Sequence, residues 1–424
     1  MACNIANQLE KSTNGNNREK TNIQKKLNNK QLKKIAIDPF IDAESGYPVK
    51  INHQIKDIFS QEVNKGKEFS IAGYMDSENF ETSGYIMNGM ITNALLENKT
   101  KAYKVYATVF EKSSGVILAA DSVYVESFDS TPIDIYKDNP IHLKGKNYEA
   151  LVSSIKKNPQ EAVNNDYVKR LKNKAMLVKG DLLYDEKEYN KSLAYYNMAS
   201  SRVRNNQDIE ILSGQFTNLV KKERILEAKL VYAKLLKACI IQSNGITHKI
   251  SFTPNSIDPL ASKMDLYNIY FSQIAHQVAE SKKSCVQIIV DSGNERAADM
   301  LPLQREKSIR NQLLSNNSKI ENRLKISEPD GKEITVETGK EDSPNAIDHK
   351  IEFKFSVCKG PKPLTVDDIE YLLKNKVSCK VVAMHIKQRG IQFKLNKEIR
   401  NRLKKLKADR RVFNAIAEAE KNKL

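Results

Sequence analysis

The sequence predicts a multidomain α+β protein: an N-terminal α/β sheet domain, a short α-helical repeat segment, a βαβ domain and a small C-terminal helical module. Three observations predict it. The 424 residues exceed one ordinary core, since domains run to about 100–200 residues. Apolar periodicity alternates over residues 32–140, turns helical over 165–283, returns to strand–helix order over 284–358 and becomes short helices over 364–424. The composition, 40% hydrophobic and 29% charged, is that of packed domains. No apolar run approaches the ~18 residues that span a bilayer.

The net charge of +17 is unevenly placed. Residues 1–34 carry eight Lys/Arg against two Glu, and residues 359–424 carry eighteen against seven Asp/Glu; the rest holds 43 of each sign. The interior is neutral and both ends are cationic, as suits a polyanionic partner. No aromatic or glycine pattern of an RNA-binding sheet accompanies the charge, so nucleic acid is not the expected partner.

Residues 1–31 read as a flexible basic tether, because their Asn/Lys/Gln-rich composition offers little to bury. Cys3 stands at its head. The other cysteines are Cys239, Cys285, Cys358 and Cys379, with no CxxC pair and no zinc spacing among them. Cys239 and Cys285 sit in apolar runs and read as buried thiols. The six histidines are scattered without an HExxH, and no metal or cofactor is expected.

Within residues 32–140, a strand at 34–40 is stopped by Pro39, and residues 50–64 have helical spacing. Strands follow at 69–72 and 85–91. Two alternating runs, 102–110 and 115–125, flank a Glu111–Gly115 turn. The segments KKIAIDPF, FSIAG, YIMNGMI and KVYATVFEKSSGVILAADSV resemble the CsgG/FlgO-type periplasmic lipoprotein domain. A mature bacterial lipoprotein begins with an acylated Cys and a polar tether. The resemblance thus implies lipidation at Cys3, an outer-membrane lipid partner and a periplasmic, outer-membrane-anchored location. Only Met1 and Ala2 precede Cys3, so the secretory signal is not in this sequence.

Over 165–283, Ala175, Gly180, Tyr184, Tyr189, Leu193, Tyr196 and Ala199 fall where a tetratricopeptide helix pair carries small and aromatic residues. Ala228, Tyr232 and Leu235 begin a second copy near the ~34-residue period. A further helix covers 262–282. So short a solenoid suits a spacer or a surface that docks envelope proteins.

From Cys285 the pattern is βα. Residues 286–290 form an apolar strand ending in Asp291-Ser292-Gly293, residues 301–313 a helix and residues 348–355 an alternating strand. LPLQREKSIRNQL and DHKIEF resemble the OmpA-like peptidoglycan-binding domain, whose motifs run LSxxRAxxVxxxL and NRRVEF. In that family an Asp and an Arg clamp the diaminopimelate end of the stem peptide. The resemblance gives those roles to Asp291 and Arg305, and the second family Arg falls on His349 or Lys350. The chemistry fits: a zwitterion needs a carboxylate for its ammonium and a forked guanidinium for its carboxylate. A site of this kind faces solvent. Here Ile-Ile-Val replaces Gly-His-Thr before the Asp, and the Asp-to-Arg loop is about a residue shorter.

The tail reads as four helices near 365–375, 378–388, 396–406 and 409–420, with Thr365 as an N-cap. RGIQFKL and the final helix resemble a small helical module of bacterial multidomain proteins. No phosphate loop, nucleophile elbow or paired-carboxylate cleft stands out, so no enzyme is expected. The expected function is a cell-envelope lipoprotein that anchors to peptidoglycan and docks partners through its helical repeats. The alternative is an intracellular scaffold that binds nucleic acid or other polyanions through its basic termini.

Overall fold

A computed structural model of the chain describes residues 1–15, 32–66, 68–96, 101–138, 146–203, 208–253, 256–281, 284–290, 301–326, 347–358 and 363–421. The fold is mixed α/β with two mixed sheets. It divides into a large unit, Met1–Ser356, and a small one, Val357–Leu424.

The large unit opens with a helix, α1 (Ala2–Gly15), where the sequence predicts a tether. Ala2, Ile5 and Leu9 line one stripe of it and are buried. The strands of the first sheet are β1 (Lys33–Ile37), β2 (Ile41–Asp42), β3 (Phe69–Tyr74), β4 (Tyr85–Leu95), β5 (Lys101–Glu111) and β6 (Ile117–Val125). Their order is β3-β1-β4-β5-β6, with β2 beside β4. β1 pairs parallel with β3 and β4, whereas β4, β5 and β6 form an antiparallel meander. Helices α2 (Asn52–Val63) and α3 (Ser77–Thr82) connect the early strands.

Helix α1 packs on α2 and on the edge strand β6. The Gln8 side chain donates to the Ala120 carbonyl at 3.2 Å and accepts the Ala120 N–H at 3.0 Å. An edge strand presents unpaired backbone groups, and Gln8 satisfies two of them. The tether expectation is therefore corrected over α1; residues 16–31 lie outside the described residues. Gly89 in β4 lies against the Phe40 ring, and a Cβ there would stand 2.2 Å from Cε2. The predicted β5–β6 turn closes through Gly115 at φ +74, a backbone conformation suited to glycine.

Beyond the sheet come α4 (Asp134–Asp138), α5 (Lys146–Ile155), α6 (Asn165–Asp185), α7 (Tyr189–Ser201), α8 (Ile209–Lys221) and α9 (Ile225–Ser243). α5 and α6 cover one sheet face, where Leu151, Ile155, Tyr167 and Leu171 join Ala36, Ile86 and Phe110 in one core. The other face packs on α1 and α2. α6–α7 and α8–α9 are two helical hairpins. Their turn residues, Lys187 and Glu223, both have positive φ and recur 36 residues apart, as do Tyr196 and Tyr232. Asn164 and Asp208 cap the first helix of each hairpin.

The segment expected to be all helical also supplies a strand, β7 (Gly245–Phe252). It precedes α10 (Met264–Glu280), β8 (Ser284–Val290), α11 (Leu301–Asn316), β9 (Leu324–Ile326) and β10 (Ile347–Val357). The second sheet has the order β7-β10-β8-β9, with β10 antiparallel to β7 and β8 parallel to β9. One continuous core runs from Leu193 and Tyr232 through Tyr270 to Ile309 and Phe353. The expected division at 283/284 thus falls inside a single core, because β7 belongs to the sheet that continues beyond it.

The small unit contains α12 (Val366–Lys374), α13 (Cys379–Arg389), α14 (Lys397–Lys405) and α15 (Arg410–Lys421). Ile369, Val382, Ile386, Leu403, Val412 and Ile416 form its core. Thr365 and Asp368 make a reciprocal capping box, with both hydrogen bonds at 2.9 Å.

Candidate functional site

Arg305 sits in the second turn of α11, close behind the end of β8. The neighbouring Glu306 is buried, and its carboxylate accepts the Val290 N–H at 3.2 Å, which ties the helix to the last residue of the strand. The Arg305 side chain is 0% exposed. Its Nε donates to the Ser256 carbonyl at 3.0 Å, and its guanidinium lies 4.7 Å from the Phe252 ring centroid. A buried guanidinium stacked on an aromatic face is fixed in orientation. This corrects the expectation that the group stands in solvent: β7 and the chain after it, read from sequence as helical, fold over it.

Asp291 lies outside the described residues. His349 and Lys350 belong to β10, where their backbones pair with Ile250 and Lys249 of β7; their side chains lie outside the described residues. Among the four predicted residues, the geometry is therefore defined for Arg305. Ser256, Phe252 and Glu306, which sequence reasoning missed, hold it in position.

The cysteines also differ from expectation. Cys3, Cys239 and Cys379 are free, whereas Cys285 and Cys358 are disulfide-bonded. With the other three thiols free, the bond joins these two. Cys285 is the second residue of β8 and Cys358 follows β10, and these strands are neighbours in the sheet. No short motif announces the pair, since the residues lie far apart in sequence. Burial pushes the Cys239 thiol up to about 12, as suits an inert core residue. Cys3 is exposed on α1.

A second polar centre lies where α6 and α8 meet the end of β1. Ile41, Asn147, Tyr148, Leu151, Arg170 and Gln242 border a small cleft there. Beneath it, Lys174 is ion-paired with Glu210, Arg170 reaches Asp208 at 2.7 Å, and the Tyr167 hydroxyl donates to Asp38 at 2.7 Å. Tyr196 donates to Asp181. Burial alone would raise the Glu210 carboxyl, but Lys174 and Arg170 outweigh it and hold the group below the usual range. Burial raises Asp38 against the opposing pull of Lys174 and Tyr167, and raises Asp181 against that of Tyr196 and Lys174. The cations of the cleft are matched by carboxylates of the same cluster, which makes it an ionic latch between sheet and repeats. Asp38, Lys174 and Glu210 come together only through tertiary packing.

His248 is another buried polar group. Its ring stacks on Tyr270 at 4.1 Å, and Nε2 lies 2.7 Å from the Tyr232 hydroxyl. Among the described residues, no group of three or more His, Cys, Asp or Glu could hold a metal ion. No described helix is long and apolar enough to cross a membrane.

No protein-family model matches the chain, and neither a curated protein nor a solved structure is significantly similar to it.

Proposed function

We propose that this protein is a non-enzymatic component of the bacterial cell envelope, anchored at the outer membrane through Cys3 and to peptidoglycan through the β7–β10 region. Its helical hairpins dock envelope partners. One observation carries the reading over an intracellular scaffold: the Cys285–Cys358 disulfide. Such bonds persist in oxidising compartments such as the periplasm and are rare in the cytosol.

Two further features support the reading. Strand, helix, strand and final strand follow in the order that the OmpA-like resemblance implies. By that resemblance Arg305 falls at the family's arginine position, where it is buried and fixed by Phe252 and Ser256. Its part here is to hold the region that follows β8 in place for a stem peptide. Because α1 is docked on the first sheet, a lipid on Cys3 would hold that sheet against the membrane rather than at a tether's length.

Co-sedimentation with purified sacculi tests the proposal, with a gel shift on duplex DNA run alongside at matched salt. The purified, oxidised protein is expected to pellet with sacculi and to leave the DNA unshifted. Retention in the supernatant together with a salt-sensitive DNA shift would favour the intracellular alternative.

A further inference from the structure

α9 is buried on one side and bare on the other. Ala228, Tyr232, Leu235, Leu236, Ala238 and Cys239 pack inward. On the opposite side Leu226, Leu230 and Ile241 are 79%, 67% and 66% exposed. At about 100° per residue, these three and Lys237 fall within an arc of about 60°. Lys229 and Lys234 flank that arc on either side. Among the described residues, none of Lys229, Lys234 and Lys237 has a hydrogen bond or ion pair, whereas nearby Glu227 is engaged by Arg224 at 2.5 Å. The face is an apolar seam about 22 Å long, edged by the ammonium groups of Lys229 and Lys234 and interrupted by that of Lys237, all three unpartnered among the described residues.

We infer that the outer face of α9 docks an amphipathic helix of a partner protein, with aliphatic residues along its seam and acidic residues on its flanks. The inference rests on the partner-docking part of the proposed function and names the chemistry of that partner. Charge decides the occupant. A second copy of this chain in two-fold pairing would set the same lysines against one another, and like charges facing across an interface disfavour it. A lipid surface is disfavoured by Lys237, which interrupts the seam between Leu230 and Ile241 and would enter the acyl boundary. An acidic helix answers each lysine and fills the gaps between the leucines.

The test is a display selection against the purified full-length protein. The library presents helices of about 18 residues, long enough to cover the seam, with leucines at helical spacing. Each flanking position is free to be Glu, Lys or Gln, and counter-selection uses the Leu226→Glu/Leu230→Glu variant. The expected result is enrichment of Glu on the flanks. Affinity of a selected peptide should fall at least about tenfold, equivalent to 1.4 kcal/mol, on that variant and on Lys234→Glu/Lys237→Glu. All four positions are at the surface, so thermal unfolding should match the wild type. Enrichment of Lys or Gln flanks, or no enriched helix, would overturn the inference. So would phosphatidylglycerol vesicles binding the wild type but not the leucine variant. Sacculus co-sedimentation of the same variant should be unchanged. If the wild type fails to pellet while acidic helices are still selected, the peptidoglycan reading falls and this one stands.

Discussion

Gly214→Ala should destabilise the helical hairpins by about 2 kcal/mol. Tyr196 is fully buried, and its ring lies between two glycines: Gly214 of α8 on one edge and Gly180 of α6 on the other. A Cβ at Gly214 would stand 2.0 Å from Cε1 and 2.2 Å from Cζ, far inside the ~3.5 Å of an ordinary carbon contact. The ring has little room to retreat, because Gly180 lies so close to its other edge that even an added Cβ there would stand 2.9 Å from Cε2, and the hydroxyl is bonded to Asp181. Overpacking costs about 1–3 kcal/mol, and this displacement of more than 1 Å belongs at the upper end. Ala in place of Gly in a helix returns about 1 kcal/mol. Gly180→Ala, with its milder contact, should come out near neutral. Urea denaturation followed by circular dichroism measures both variants. In a Tyr196→Leu background, Gly214→Ala should cease to destabilise. A Gly214→Ala protein as stable as wild type, or an equal cost in both backgrounds, would refute the wedge.

Four other outcomes follow from the geometry. Asp185 accepts the Asp134 N–H at 3.1 Å, and burial, aided by the Asp134 charge, lifts its carboxyl to about 6. A carboxyl raised in the folded state adds stability that is complete below its unfolded value near 4 and is lost as pH rises through about 6. Asp185→Asn, which keeps the acceptor, should therefore match wild type at pH 4 and exceed it at pH 7 in thermal unfolding. Lys174→Met should cost about 3–5 kcal/mol by stranding the buried Glu210, and Lys174→Met/Glu210→Leu should recover most of it in the same denaturation assay. Cys285→Ser should cost about 4 kcal/mol, as expected for a closed loop of about 70 residues, and reduction of the wild type should reproduce the loss. Limited proteolysis should spare α1, while Ile5→Asp should release it to the protease.

Much of this architecture is legible in the chain because its signals are local. Alternation marks β4, β5 and β6, and the Glu111–Gly115 turn joins the last two. Thr365 announces the first terminal helix through its cap, and the structure adds Ser378 and Asn396 as caps of the next two. What escapes is distributed over distance. α1 is hidden because three apolar side chains, Ala2, Ile5 and Leu9, are spread through a polar stretch. β7 is hidden because a histidine, His248, occupies a core position in an otherwise clear ITHKISF alternation. Missing β7 also hides the burial of Arg305, whose partners Phe252 and Ser256 lie in that strand and just after it. The disulfide and the Asp38–Lys174–Glu210 cluster join residues with no sequence proximity at all.

The most direct measurement is binding of a diaminopimelate-containing muropeptide to the oxidised full-length protein by titration calorimetry, for wild type, Asp291→Ala and Arg305→Lys. The lysine variant keeps the charge and much of the buried stem, and its thermal unfolding reports whether the fold survives. Saturable binding by wild type is expected, with at least about tenfold weakening in folded Asp291→Ala, which loses a charge-assisted contact of about 1.5–3 kcal/mol. Folded Arg305→Lys should also bind more weakly, because lysine cannot reproduce the packing of the buried guanidinium on Phe252 and Ser256. A stem peptide whose diaminopimelate carboxylate is amidated should bind the wild type as weakly as the variants bind the parent. Equal affinity of all three proteins for both peptides, or no binding by wild type, would contradict the assignment of this region to peptidoglycan.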